Sequence, residues 1–262
     1  MLDFAAPSPA PQEVANYTHG LFTMCEASGV AVGGLSKSGA AVWPLPSTDA
    51  AAAWVEPVGD MGQWPVAGPI GIMRLLRSGA TLFEVEASSE AVFAGDGLFL
   101  VSRARLVKPV VKLTDRGLHV FAADVAEDVL GFIDRKRLDA ARGAITVSRQ
   151  YARGHLRKGD LLRAQDHVRK AWASATTELE CLALGAACHA ASWGTDHYDP
   201  ALNASCATAD VAALWATKRL RDVKAQHAAA QPSLWLNTVK DSYARLFRRL
   251  IEITRQEETG TA

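Results

Sequence analysis

Two carboxylates, Glu84 and Glu86, stand two residues apart in the stretch Thr81 to Ala87. If that stretch is a strand, Phe83 and Val85 point one way and Leu82, Glu84 and Glu86 the other. A carboxylate pair of this kind is either a solvated sheet face or half of a metal site. Hard cations such as Mg²⁺ take carboxylate oxygens at such sites. Asp49 is a third candidate. Its place after Pro46-Ser47-Thr48 suits a turn or cap residue as well as a ligand. The glycine-rich turn Gly33-Gly34-Leu35-Ser36-Lys37-Ser38-Gly39 can cradle phosphate through its backbone N–H groups, with Lys37 adding charge. It is not a Walker A loop, because the lysine does not follow a second glycine at the required spacing. A plain turn is the other reading.

Further along, Cys181, Cys188, His189, His197 and Cys206 are of zinc-binding types, but their spacing fits no structural zinc pattern. Cys181 and Cys188 lie seven apart, which predicts one buried helical stripe. Arg149, Arg153, His155, Arg157 and Lys158 form the densest basic run, continued by Arg163, Arg169 and Lys170. These cations either face a phosphate backbone or form a solvated surface paired with Asp160 and Asp166. No GxSxG, HExxH or Rossmann fingerprint occurs.

The composition bounds these options. With 49% hydrophobic and 21% charged residues in 262, the chain can bury a proper core and reads as globular. Lys plus Arg and Asp plus Glu both number 28. A uniform basic field for nucleic acid is therefore excluded, while a local patch is not. Four scattered cysteines without a CxxC pair predict reduced thiols. The start, MLDFAAPSPAPQE, lacks the basic and apolar regions of a signal peptide. No apolar run approaches the roughly 20 residues that span a bilayer. The expectation is a soluble cytoplasmic protein with no membrane contact.

Positioning these residues falls to two kinds of element. Residues 1–11, rich in Pro and Ala, are expected to stay extended or disordered. A helix is predicted from Gln12 to about Ser28 with Val14, Tyr17, Leu21, Phe22 and Cys25 buried. Short strands follow at Val30 to Val32 and Ala50 to Val55, then a basic helix from Ile72 to Arg77 broken by Ser78-Gly79, then the strand of Glu84 and Glu86. Beyond these the periodicity turns helical: Ala126 to Arg142 stopped by Gly143, Leu161 to about Ala191, Val211 to about Ala229 capped by Thr208, and a last helix opened by Pro232. Residues 192–207 are predicted as a loop. The fold class is thus α/β (α+β): a mixed sheet with flanking helices over 12–120, a helical domain over 121–255, and a polar frayed tail over 256–262.

In this order of elements the chain resembles the DNA-polymerase-β-like nucleotidyltransferases, particularly a group of predicted phage and bacterial members. The elements that carry the resemblance are Val30 to Gly39, Ser47-Thr48-Asp49-Ala50-Ala51, Trp54-Val55-Glu56-Pro57, and Arg74 to Ser88. The resemblance implies a nucleoside triphosphate and Mg²⁺ as ligands. Asp49, Glu84 and Glu86 would be the catalytic and metal-binding residues. Gly33, Gly34, Ser36, Lys37, Ser38, Arg74 and Arg77 would hold the nucleotide. Two departures from the family pattern stand out: Leu35 replaces the serine after the turn, and Ala51 replaces the second carboxylate of the Asp-x-Asp pair. A methyl group offers no oxygen to a cation, so the resemblance implies nucleotide binding with weakened or lost transfer. The alternative is a non-catalytic binding protein, regulatory or defence-related, whose helical half takes a protein or nucleic-acid partner.

Overall fold

A computed structural model of the chain describes residues 20–31, 42–47, 50–56, 64–87, 91–95, 97–192, 200–224 and 232–259. Of residues 223, 224 and 232–235 the backbone alone is described. The chain divides into two compact units, Met1–Leu113 and Thr114–Ala262.

The first unit is built on six strands: β1 (Leu21–Cys25), β2 (Trp64–Ala67), β3 (Thr81–Ala87), β4 (Ala91–Gly95), β5 (Leu98–Val101) and β6 (Ala104–Lys112). Their order is β4-β5-β2-β1-β3-β6, and each neighbouring pair is antiparallel. The unit is therefore α+β with an antiparallel sheet among the described strands, where the sequence reading expected a mixed one. One short helix, α1 (Pro69–Arg74), links β2 to β3. It opens on a proline, whose missing N–H costs nothing in a first turn. Gly71 of α1 sits against the backbone of Gly97, so closely that a Cβ there would lie 2.6 Å from the Gly97 carbonyl oxygen.

Both faces of this sheet bury side chains: Met24, Ile72, Met73 and Leu82 on one, and a larger cluster on the other. Leu21, Trp43, Trp64, Phe83, Val85, Phe99, Val101 and Leu106 pack together. The Trp43 and Trp64 rings lie 4.6 Å apart. Phe83 and Val85 face this core as their period-two spacing predicts. Leu82, expected to share the face of Glu84 and Glu86, is fully buried, yet it lies outside that cluster and opposite Met24 of β1. The alternation of β3 therefore holds, and the register shifts fall on β6, where Val107 and Val110 are the extra residues.

The predicted helix of residues 12–28 is overturned where it can be seen, because Leu21–Cys25 is strand β1, paired along its length with β3. Pairing with Phe83 and its neighbours outweighs the helical spacing of Leu21, Phe22 and Cys25, a tertiary override of local preference. Residues 12–19 and Val32 lie outside the described residues. Val30 and Ala31 make isolated bridges to Val42 and Cys25. The predicted strand at Ala50 to Val55 is an extended segment tied to the edge of β6, through Ala52 N–H to Leu106 C=O and a reciprocal Val55–Ala104 bridge.

The second unit is helical: α2 (Asp115–Glu127), a 3₁₀ turn (Leu130–Phe132), α3 (Arg135–Ala152), α4 (Lys158–Ala173), α5 (Glu178–Ala190), α6 (Pro200–Lys224) and α7 (Pro232–Thr259). Alanines and small side chains fill much of its interior, among them Ala122, Ala141, Ala186, Ala204 and Ala216. Several predicted boundaries move for reasons of capping. The expected helix at 126–142 is split, because Asp134 accepts from Lys136 N–H and starts α3 there, while Gly143 lies inside α3. The expected helix at 161–191 divides at Ser174–Thr177, where Thr177 accepts from Glu180 N–H and opens α5. Thr208, predicted as a cap, is interior to α6 and returns its hydroxyl proton to Ala204 C=O. Helix α6 opens at Pro200, inside the stretch predicted as a loop, and α7 continues to Thr259 through the expected frayed tail. No helix among the described residues is long and apolar enough to cross a membrane.

Candidate functional site

Strand pairing decides the surroundings of the two sheet carboxylates. Glu84 lies directly opposite Lys108 and Glu86 opposite Arg105. The Lys108 ammonium is 3.3 Å from Glu84 Oε2. Arg105 reaches Glu86 Oε2 through Nε at 2.7 Å and Nη2 at 2.6 Å. Each carboxylate thus has its own cation across the strand. Arg105 also lies over the Trp54 ring at 4.8 Å, with Arg103 over the same ring at 4.9 Å. Arg103 in turn faces Glu56. This group of charges around one indole was not anticipated from the sequence; its only signal was the closeness of Arg103, just before β6, and Arg105, within it. Of the expected nucleotide ligands, Arg74 closes α1, and Arg77 faces Glu26 at 3.6 Å. Asp49, Gly33, Gly34, Ser36, Lys37 and Ser38 lie outside the described residues.

Ionisable side chains of the helical unit sit in a drier setting. Glu180, 2% exposed, accepts from Arg137 Nε at 2.7 Å and Nη2 at 2.8 Å, and from the backbone N–H groups of Asp134 and Thr176. The Arg137 guanidinium, with those N–H groups, holds its carboxyl down at about 2. His119 is buried too, which pushes its imidazole down to about 4. Its Nδ1 lies 3.3 Å from Ser148 Oγ, and that hydroxyl donates to Ala190 C=O at 2.6 Å. The serine proton is committed and the pair is closed to solvent, so this is a packing contact and not a nucleophile with its base.

The residues of zinc-binding type do not gather. Cys181 is exposed, Cys188 buried and Cys206 half-buried, so the first two share no buried stripe. Cys181 Sγ instead accepts from Trp172 Nε1. His189 Nε2 faces Asp210 Oδ2 at 3.6 Å across the α5–α6 contact, and His197 is outside the described residues. Among the described residues no three His, Cys, Asp or Glu side chains converge to hold a metal ion.

What does gather is charge around the end of α2. Asp124, Glu127 and Asp128 follow one another at its C-terminus, the negative end of the helix dipole. Arg149 from α3 binds Asp124 and Glu127 together, and Arg249 from α7 binds Asp128 with Asp124 nearby. The Arg149 contact keeps the Glu127 carboxyl below its ordinary range. Beside this cluster a cleft of about 400 Å³ opens between α2, α3 and α7. Val120 and Ile253 give it apolar wall, while Asp124, Arg149, Arg153, Gln256 and Glu257 give it polar lining. Glu257 is itself buried against Arg116.

At the rim, α3 ends in a tight turn. Gly154 takes a positive φ of 75°, and His155 N–H donates back to Gln150 C=O. That reversal presents Arg153, His155 and Arg157 to solvent. The two acids expected to pair with the basic run do so at its later members. Asp160 accepts from Arg157 N–H and pairs with Arg163, and Asp166 pairs with Lys170. No carboxylate pairs with Arg153, His155 or Arg157 among the described residues. Comparison with protein-family models, curated proteins and solved structures finds no match.

Proposed function

We propose that this is a non-catalytic binding protein that works through its helical unit. The observation that carries the reading is the cross-strand pairing of Glu84 with Lys108 and of Glu86 with Arg105. A metal site for nucleotidyl transfer needs carboxylate oxygens whose charge is spent on the cation. Here each of the two glutamates is already partnered, and the resemblance to the nucleotidyltransferases sets Ala51 against a further ligand of their pattern. The helical unit offers the reverse: a rigid frame of capped helices with an unneutralised basic turn and a polar cleft at its edge. Mg²⁺-dependent transfer of a nucleoside monophosphate at Asp49, Glu84 and Glu86 is the reading this displaces. Calorimetry with ATP or GTP and Mg²⁺, run beside a labelled-nucleotide transfer assay, separates the two. We expect no transfer. Transfer abolished by Asp49→Ala would overturn the proposal.

A further inference from the structure

We propose that the α3–α4 turn and the cleft beside it form a docking surface for an acidic protein segment. The inference rests on the binding-protein reading and names its partner. Arg153 and Arg157 are the anchors, because both are exposed and no carboxylate of the described chain neutralises them. Arginine is suited to this work, since its planar fork meets a carboxylate with two parallel hydrogen bonds. Arg153 also lines the cleft, where an apolar or basic side chain of the same segment would meet Val120 and Ile253 beside the carboxylates of Asp124 and Glu257.

The charge pattern next to the turn selects protein over nucleic acid. One helical turn back from Arg153, Arg149 belongs to a cluster of three carboxylates and two guanidiniums. That cluster keeps one excess negative charge, on Asp124, Glu127 and Asp128. A phosphate backbone carries uniform negative charge and would be repelled at this second spot. The chain as a whole has zero formal net charge and so supplies no long-range field for a polyanion. A protein segment can place carboxylates on Arg153 and Arg157 and a neutral or basic residue against Glu127. Mixed-sign complementarity of this kind fixes register and rejects wrong partners.

Anisotropy titration of the full chain with a fluorescein-labelled Glu-rich peptide tests this, with single-stranded and duplex oligonucleotides of matched charge alongside. We expect saturable peptide binding that weakens with added salt. Arg153→Glu with Arg157→Glu should weaken it by about tenfold or more. Arg135→Glu, an exposed reversal at the far end of α3, should leave it unchanged. Arg153→Gln with Arg157→Gln, milder for folding, should show a smaller loss in the same direction. Tighter binding of either oligonucleotide, no binding of the peptide, or equal loss from Arg135→Glu would overturn the proposal. Nucleotide transfer sensitive to Asp49→Ala would instead overturn the underlying reading, whatever Arg153 does.

Discussion

Glu86 in the sheet unit and Glu180 in the helical unit each accept from an arginine Nε at 2.7 Å, yet the two pairs sit in different media. The Glu86 side chain is about half exposed and Glu180 is buried. Water and salt screen the first pair, so its net contribution is small. Around Glu180 the charges cannot return to water, and every hydrogen bond it accepts offsets a desolvation already incurred. Identical chemistry therefore supports surface complementarity in one unit and the frame of the fold in the other.

Breaking the buried pair should give the largest effect. Glu180→Ala leaves Arg137 and the N–H groups of Asp134 and Thr176 without their acceptor, and should cost about 3 kcal/mol or more in urea unfolding. The pH dependence has a definite sign. The Glu180 carboxyl lies at about 2 in the fold against an ordinary 4.5. Its stabilisation is present above pH 4.5 and fades as pH falls from there toward 2. A variant with an unchanged midpoint would remove the contrast between the units.

Glycine packing provides the next comparison. At Gly71 an added Cβ would meet the Gly97 backbone at 2.6 Å and Ala67 Cβ at 2.9 Å, and that Gly97 carbonyl is held in place by Gly68 N–H. At Gly185 of α5 it would meet Asp210 Oδ2 at 2.5 Å, a side-chain end with some freedom. Gly71→Ala should cost about 3 kcal/mol and Gly185→Ala about 1 to 2 kcal/mol. Thermal midpoints in the opposite order would show the sheet unit to be the more compliant.

These cases also mark what the sequence could and could not tell. Strand Thr81–Ala87 and the helix opening at Pro232 were legible because period and punctuation agree there. Strand β1 was not, since Leu21, Phe22 and Cys25 carry helical spacing and only pairing with β3 makes them extended. The break at Ser174–Thr177 rests on a cap whose partner, Glu180, is itself fixed by Arg137 some 43 residues away. Nothing local announces that bond. The basic run was legible as a run. Which of its members lack a partner depended on the side chains that Asp160 and Asp166 choose. For Glu84 and Glu86 the spacing marked a shared face, while the cations opposite them follow from the register with β6.

Asp210 tests burial without an arginine. Burial raises its carboxyl to about 7 and lowers the His189 imidazole beside it. A carboxyl raised in the fold is stabilised below its unfolded value near 4, and that stability is lost as pH climbs toward 7. Asp210→Asn should therefore match the parent near pH 4 and exceed it at pH 8. The gain should be about 2 kcal/mol, less than the full shift implies, because the side chain is 22% exposed and His189 stands alongside. A gain that is the same at both pH values would show that Asp210 does not titrate across this window.

The smallest effect is expected where the sequence drew most attention. Glu84→Gln with Glu86→Gln removes two exposed cross-strand ion pairs while keeping side-chain shape and hydrogen-bonding oxygens. Each such pair contributes a few tenths of a kcal/mol, so the double variant should lose less than about 1 kcal/mol. High salt should shrink even that, since it screens the parent's pairs and leaves the glutamines untouched. The same pair of proteins measures whether the carboxylates hold a cation. Any ion that binds the fold alone raises its stability by an amount set by concentration over dissociation constant. With Lys108 and Arg105 in place, added Mg²⁺ should shift the thermal midpoints of parent and variant equally, as nonspecific ionic strength does. A Mg²⁺-dependent rise in the parent that the glutamines abolish would mean the cation outcompetes Lys108 and Arg105. The sheet unit would then hold a metal centre, and its contrast with the helical unit would rest on chemistry instead of burial.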